Sequence, residues 1–176
     1  IDGDDDLEIV VNTLNGRTYA WHHDGSEVRD GDGNPSTHGI FTIRSNEWWA
    51  YAAPLLLDVD GDGARDILLV SDKADQDNAL FAYRHDGTQL PGFPYALGGE
   101  RVICSPSAGD LDGDGSLEIV FFSKSHYLHV VREDGTAFPN FPVYYSAAFD
   151  GSAGPSPALG DMNGDGQLEI VWPVNA

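Results

Sequence analysis

The stretch Asp58-Val59-Asp60-Gly61-Asp62-Gly63-Ala64-Arg65-Asp66 runs without a break into the apolar segment Ile67-Leu68-Leu69-Val70. Carboxylates fall on its first, third, fifth and ninth positions, and glycine at the sixth lets the backbone turn sharply. Ca²⁺ takes six to eight oxygens in flexible geometry, whereas Mg²⁺ keeps its waters and rarely uses an all-protein cage. Read this way, Asp58, Asp60, Asp62 and Asp66 supply side-chain oxygens and Ala64 its backbone carbonyl. One such loop says little. The same spelling returns at 110–118 and 161–169, each time leading into a strand-like run, Ile119-Val120-Phe121-Phe122 or Ile170-Val171-Trp172.

In the third loop the roles pass to Asp110, Asp112, Asp114, Ser116 (carbonyl) and Glu118. In the fourth they pass to Asp161, Asn163, Asp165, Gln167 (carbonyl) and Glu169. The chain itself opens on a related segment, Ile1-Asp2-Gly3-Asp4-Asp5-Asp6-Leu7-Glu8, whose first-position carboxylate is missing. It offers Asp2, Asp4, Asp6 (carbonyl) and Glu8, with Asp5 where the other loops have glycine, a place Asp tolerates better than most side chains. The expectation is one Ca²⁺ per acidic loop, with three complete loops and a truncated first one. An EF-hand needs a bidentate Glu at position twelve and flanking helices. Position twelve here is Leu69, Phe121 or Trp172, and the flanks read as strands, so the EF-hand is excluded.

Aligned on Asp2, Asp60, Asp112 and Asn163, the loops recur at steps of 58, 52 and 51 residues. That period suits a four-stranded propeller blade. Each unit repeats the same order: a small-residue lead-in (Ser105-Pro106-Ser107-Ala108-Gly109 is typical), the acidic loop, a β-branched strand, and an alternating strand such as Leu80-Phe81-Ala82-Tyr83. Asp24-Gly25, Asp86-Gly87 and Asp134-Gly135 then mark hairpin turns. The Phe-Pro segments, Phe93-Pro94 and Phe141-Pro142, suit a blade's outer strand, since proline is confined to edges and turns. The first unit lacks the Phe-Pro segment and inserts Asp30-Gly31-Asp32-Gly33-Asn34-Pro35 instead. No segment keeps a helical apolar period, so the fold is predicted as all-β. The predicted units are 1–52 (a blade without its inner strand), 53–104, 105–155, and 156–176 (the first half of a blade). Propellers close with four to eight blades, so the chain reads as an open arc and as a fragment or processed product. Further blades of a parent chain, or other copies of this one, are expected to complete the ring.

The net charge of −20, from 29 acidic against 9 basic residues, opposes binding to nucleic acid and to anionic membranes. Four bound dications would bring that charge to −12 and relieve much of the loops' self-repulsion. The apolar runs are too short to span a bilayer, so no membrane insertion is expected. Cys104 is the single cysteine and sits in an apolar run, which reads as an inert buried thiol.

These loops, with the Ser-Pro-x-x-Gly-Asp-x-Asp/Asn-Gly-Asp-Gly lead-in, resemble the FG-GAP repeats of integrin α-subunit propellers and the related bacterial VCBS repeats. Glu at position nine in three loops departs from the Asp usual in integrins and resembles the bacterial versions. The resemblance implies a Ca²⁺-rigidified propeller on a secreted or surface protein, with a structural or adhesive role toward a protein or glycan partner. Extracellular Ca²⁺ at millimolar levels would also keep weak sites filled.

Catalysis is not expected. An identical carboxylate cluster in each unit argues for a repeated staple, and the sequence contains no Gly-x-Ser-x-Gly or His-Glu-x-x-His. His126 and His129 read as structural. The aromatic groups Trp48, Trp49, Tyr51 and Tyr144, Tyr145, Phe149 read first as packing and second as a sugar-stacking platform. Two alternatives follow: a lectin-type carbohydrate-binding propeller, and part of a polysaccharide lyase, since rhamnogalacturonan lyases look similar. Nine basic residues over the whole chain weigh against a polyanionic substrate.

Overall fold

The computed structural model describes residues 1–4, 6–34, 36–43, 52–72, 78–102, 104–146 and 154–172. Within them the chain is all-β, built as successive antiparallel meanders. The first sheet holds β1 (Ile9–Asn12), β2 (Arg17–Trp21) and β3 (Ile40–Ile43) in that order. The second holds β4 (Leu55–Leu57), β5 (Asp66–Val70), β6 (Asn78–Tyr83) and β7 (Tyr95–Gly98). The third repeats the four-strand order with β8 (Ser107–Gly109), β9 (Glu118–Phe122), β10 (Tyr127–Val131) and β11 (Val143–Tyr144). A pair, β12 (Ala158–Gly160) and β13 (Glu169–Val171), follows. These are partial propeller blades, and the sheets do not close into a ring. Among the described residues no helix is long and apolar enough to cross a membrane.

The acidic loops join paired strands at one fixed register. Leu57 lies opposite Asp66, Gly109 opposite Glu118, and Gly160 opposite Glu169. The ninth loop residue is therefore also the first residue of the following strand. At the same end of each sheet, directly after β2, β6 and β10, the Asp-Gly pairs make equivalent turns. Gly25, Gly87 and Gly135 have φ of 85°, 80° and 76°, and each donates its N–H to the carbonyl three residues back, on His22, Arg84 or Arg132. The aspartate before each glycine accepts from the backbone and hydroxyl of Ser26, Thr88 or Thr136, which fixes the turn from inside. Pro94 and Pro142 stand just ahead of the outer strands β7 and β11, where no ladder N–H is needed.

The central strands are buried on both faces, so the period-two pattern sorts their side chains between two cores. Ile67, Leu69, Phe81 and Tyr83 pack with Ala20 and Phe41 of the first sheet. Leu68, Val70, Leu80 and Ala82 pack with Ile119, Phe121 and Val131 of the third. Cys104 lies in this second core, and burial pushes its thiol up to about 11, as an inert cysteine should be. Tyr145 packs against Phe122 and Trp172 with ring centroids 5.5 and 4.5 Å away, while Tyr144 is 61% exposed. Trp48, Trp49, Tyr51 and Phe149 lie outside the described residues.

A polar clasp crosses the second core. Glu100, just past β7, accepts the Ser123 hydroxyl at 2.5 Å and lies 3.1 Å from His129 Nε2. His129 is buried, stacked on Phe121, and its Nδ1 is 3.4 Å from the Tyr95 hydroxyl. Burial holds its pKa below the ordinary value, and Glu100 only partly offsets this. An unfolded histidine titrates near 6.5, so the stability gained by keeping His129 neutral is fully present above that pH. It is lost as pH falls through 6.5 toward the lower folded value. In chelator, the wild type should lose more Tm, or gain less, between pH 7 and pH 5 than His129→Gln does, because the raised Asp66 and Glu118 act alike in both; equal slopes in both proteins would overturn the assignment.

Candidate metal centres

Each acidic loop is wound by its own side chains. In the third, Asp110 accepts the N–H groups of Gly113 (2.7 Å) and Gly115 (3.0 Å), Asp112 accepts that of Asp114, and Asp114 accepts that of Ser116. The second repeats this with Gly63 on Asp58, Asp62 on Asp60 and Ala64 on Asp62. The fourth has Gly164 and Gly166 on Asp161, Asp165 on Asn163 and Gln167 on Asp165. The ninth-position carboxylate reaches back across the loop to the second-position N–H: Asp66 to Val59 (2.9 Å), Glu118 to Leu111 (2.9 Å) and Glu169 to Met162 (2.8 Å). Glu8 makes the same contact with the Ile1 amino group. Glycine is required at positions four and six, where Gly61, Gly63, Gly113, Gly115, Gly164 and Gly166 all have φ between 72° and 94°.

The winding turns carboxylates inward. One oxygen each from Asp58, Asp60 and Asp62 come within 4.8 Å of one another, as do oxygens of Asp110, Asp112 and Glu118. Asp66 is not drawn into the first of these groups, and Asp114 is not drawn into the second. In the fourth loop the Asn163 amide donates to Asp165 and Glu169, both at 3.0 Å, which gathers three of the four predicted side chains. In the truncated first loop, Asp2, Asp4 and Glu8 converge together with His22, whose Nδ1 is 3.7 Å from both Asp2 and Glu8. Asp6 uses its backbone N–H to close on Asp4 at 2.9 Å.

Electrostatics marks these clusters as short of positive charge. Burial pushes Asp66 up to about 6, and the neighbouring Asp60, Asp62 and Asp58 add to the shift. Glu118 is raised for the same reasons, burial first and then Asp112, Asp114 and Asp110. Asp58 Oδ1 is buried and accepts no hydrogen bond. An orphaned buried oxygen within a set of hard oxygen donors is what a Ca²⁺ ion would satisfy, so the residues fit that ion. The clusters can hold a metal ion.

Two partners escaped the sequence reading. His22 and Arg84 occupy the same place, directly after β2 and β6, and both lean on the acidic loop of their own sheet. The recurrence of His22, Arg84 and Arg132 ahead of the three Asp-Gly turns was the available signal. The insertion at 30–34 shows part of the same winding, with Gly33 on Asp30 and Asn34 on Asp32. Its ninth position is His38, and the Thr37 hydroxyl already occupies Asp32 at 2.7 Å.

Antiparallel blade-like sheets, three of them entered through an acidic loop at the same register, define a propeller-type repeat protein. The sequence model of the FG-GAP-like repeat matches residues 58–121 and again 110–172, so the chain belongs to the FG-GAP-like repeat family. No curated protein matches the chain.

Proposed function

We propose that the chain is an extracellular, Ca²⁺-stapled propeller module with a structural and adhesive role, and that it is not an enzyme. One observation carries the reading: complete acidic loops wound in the same way stand between strands paired at the same register. A repeated cation staple explains that identity, whereas one reaction centre would need it only once. Each bound ion would cross-brace the strand ends it sits between, so ion binding would be linked to folding. The chain's residues would hold Ca²⁺ as the sequence suggests, with Asp58, Asp60 and Asp62 in the second loop and Asp110, Asp112 and Glu118 in the third as the core of each shell.

Four of the nine basic residues support the non-catalytic reading. Arg84 rests on Asp60, Arg101 on Asp72 at 2.6 Å, and Arg29 and Arg132 lie over the rings of Phe41 and Phe138. Cations already held within the fold are poorly placed to gather a polyanionic glycan. Isothermal titration of the chelated protein should give three to four Ca²⁺ per chain and little heat with Mg²⁺. Fewer than two Ca²⁺, or equal response to Mg²⁺, would overturn the staple. A screen of immobilised neutral glycans and surface proteins should find retention that Ca²⁺ supports and chelator abolishes. Release of unsaturated, ultraviolet-absorbing sugars would make the module part of a lyase instead.

A further inference from the structure

We propose that Arg84 is a tethered competitor for the cation of the second loop, which makes that loop weaker than the third. The inference rests on the reading of these loops as Ca²⁺ sites. Arg84 Nε donates to Asp60 Oδ2 at 2.9 Å, its Nη2 donates to the same oxygen, and Nε lies 4.0 Å from Asp62. The guanidinium therefore sits on the third-position carboxylate, one of the three whose oxygens converge. It supplies, from within the chain, part of the positive charge that a dication would bring. A dication entering this loop must displace it or bind beside it against repulsion.

The third blade shows what decides the matter. Arg132 holds the equivalent place after β10, yet its guanidinium lies over the Phe138 ring, 5.1 Å from the centroid. The residue at the place of Phe138 in the second blade is Leu90, which has no π face and is buried. Among the described residues no arginine pairs with a carboxylate of the third loop. One aromatic-to-aliphatic difference thus parks one arginine away from its loop and leaves the other upon it. A displaced Arg84 also has somewhere to go. A cavity of about 340 Å³ runs from Asp60 and Arg84 past Pro91 to Glu133 and Asp134 of the next blade. Filling the second loop would hand the guanidinium toward those two carboxylates and tighten the contact between blades.

The sixth-position glycines give a separate reporter for each loop, because the Gly63, Gly115 and Gly166 amides bond their own first-position aspartates. In ¹⁵N-resolved NMR titrations with Ca²⁺, Gly63 should reach its midpoint at roughly tenfold higher concentration than Gly115, the size expected for one positive charge a few ångströms from a dication in water. Arg84→Gln should bring the Gly63 midpoint down to that of Gly115 and leave Gly115 and Gly166 unmoved. Phe138→Leu, which frees Arg132, should raise the Gly115 midpoint severalfold while Gly63 stays in place. Coincident midpoints in the wild type, or a Gly63 midpoint indifferent to Arg84→Gln, would overturn the competitor while the Ca²⁺ reading stands. Glycine amides that do not respond to Ca²⁺ in any variant would overturn both.

Discussion

Removal of divalent cations should lower the Tm of this chain by more than about 15 °C, with recovery on adding Ca²⁺ and not Mg²⁺. A site that binds only the folded state contributes about 2.7 kcal/mol when free ion stands at a hundred times Kd. Three complete loops filled to that degree would supply about 8 kcal/mol, comparable to the entire net stability of a typical domain at about 5–15 kcal/mol. For a chain of 176 residues each kcal/mol moves Tm by about 2–4 °C, which sets the scale of the drop. Bare, each loop confronts its own convergent carboxylates, and in the second the buried Asp66 is already pushed up to about 6. The measurement is a pair of calorimetric scans at fixed ionic strength, one in EDTA and one in millimolar Ca²⁺. A shift below about 3 °C would mean that the side-chain winding alone holds the loops.

Glu118→Gln should change sign with the conditions. Glu118 is buried, accepts the Leu111 N–H at 2.9 Å and points a carboxylate oxygen at Asp110 and Asp112. Glutamine has nearly the same shape and keeps an oxygen for Leu111, so the hydrogen bond survives. Without cation, the substitution removes a buried charge from beside three others, and the variant should be as stable as the wild type or slightly more so. With Ca²⁺ it withdraws a charged ligand and weakens the ion, costing about 2–3 kcal/mol of the linked stability. Urea unfolding in both conditions reads the two numbers directly. If Glu118 were only a brace for Leu111, the two differences would agree.

Much of this was legible in the sequence because the repeat is written in residues with narrow physical uses. Glycines at the fourth and sixth loop positions, Asp-Gly ahead of a hydroxyl residue, and proline before an outer strand each admit few backbone solutions. Repetition at a fixed period turned those local signals into a blade. The side-chain partners of the loops were not legible in the same way. Whether Arg84 reaches Asp60, or Arg132 prefers the Phe138 ring, depends on residues far apart in sequence that the sheet brings together. The same holds for Glu100, which finds Ser123 and His129 only because the linker after β7 passes across the next sheet. His22 could not be singled out because a single imidazole carries no spacing pattern of its own. The grouping of Asp110 and Asp112 with Glu118, and not with Asp114, was not legible either, since Asp62 at the same loop position does join its group.

The ninth loop residue heads a strand, pairs across the ladder with the last residue of the strand before, and ties back to the second-position amide. That triple anchorage fixes the length of the loop, since one added residue would break the pairing, the brace and the donor set together. The extra residues of the first blade fall instead between β2 and β3, around Asp30 to Asn34. The fold thus separates a connection that must be copied faithfully from one that is free to be rewritten. For anyone building on this scaffold, foreign peptides belong in the β2–β3 connection of the first blade, around Asp30 to Asn34, and the acidic loops should be left as they are.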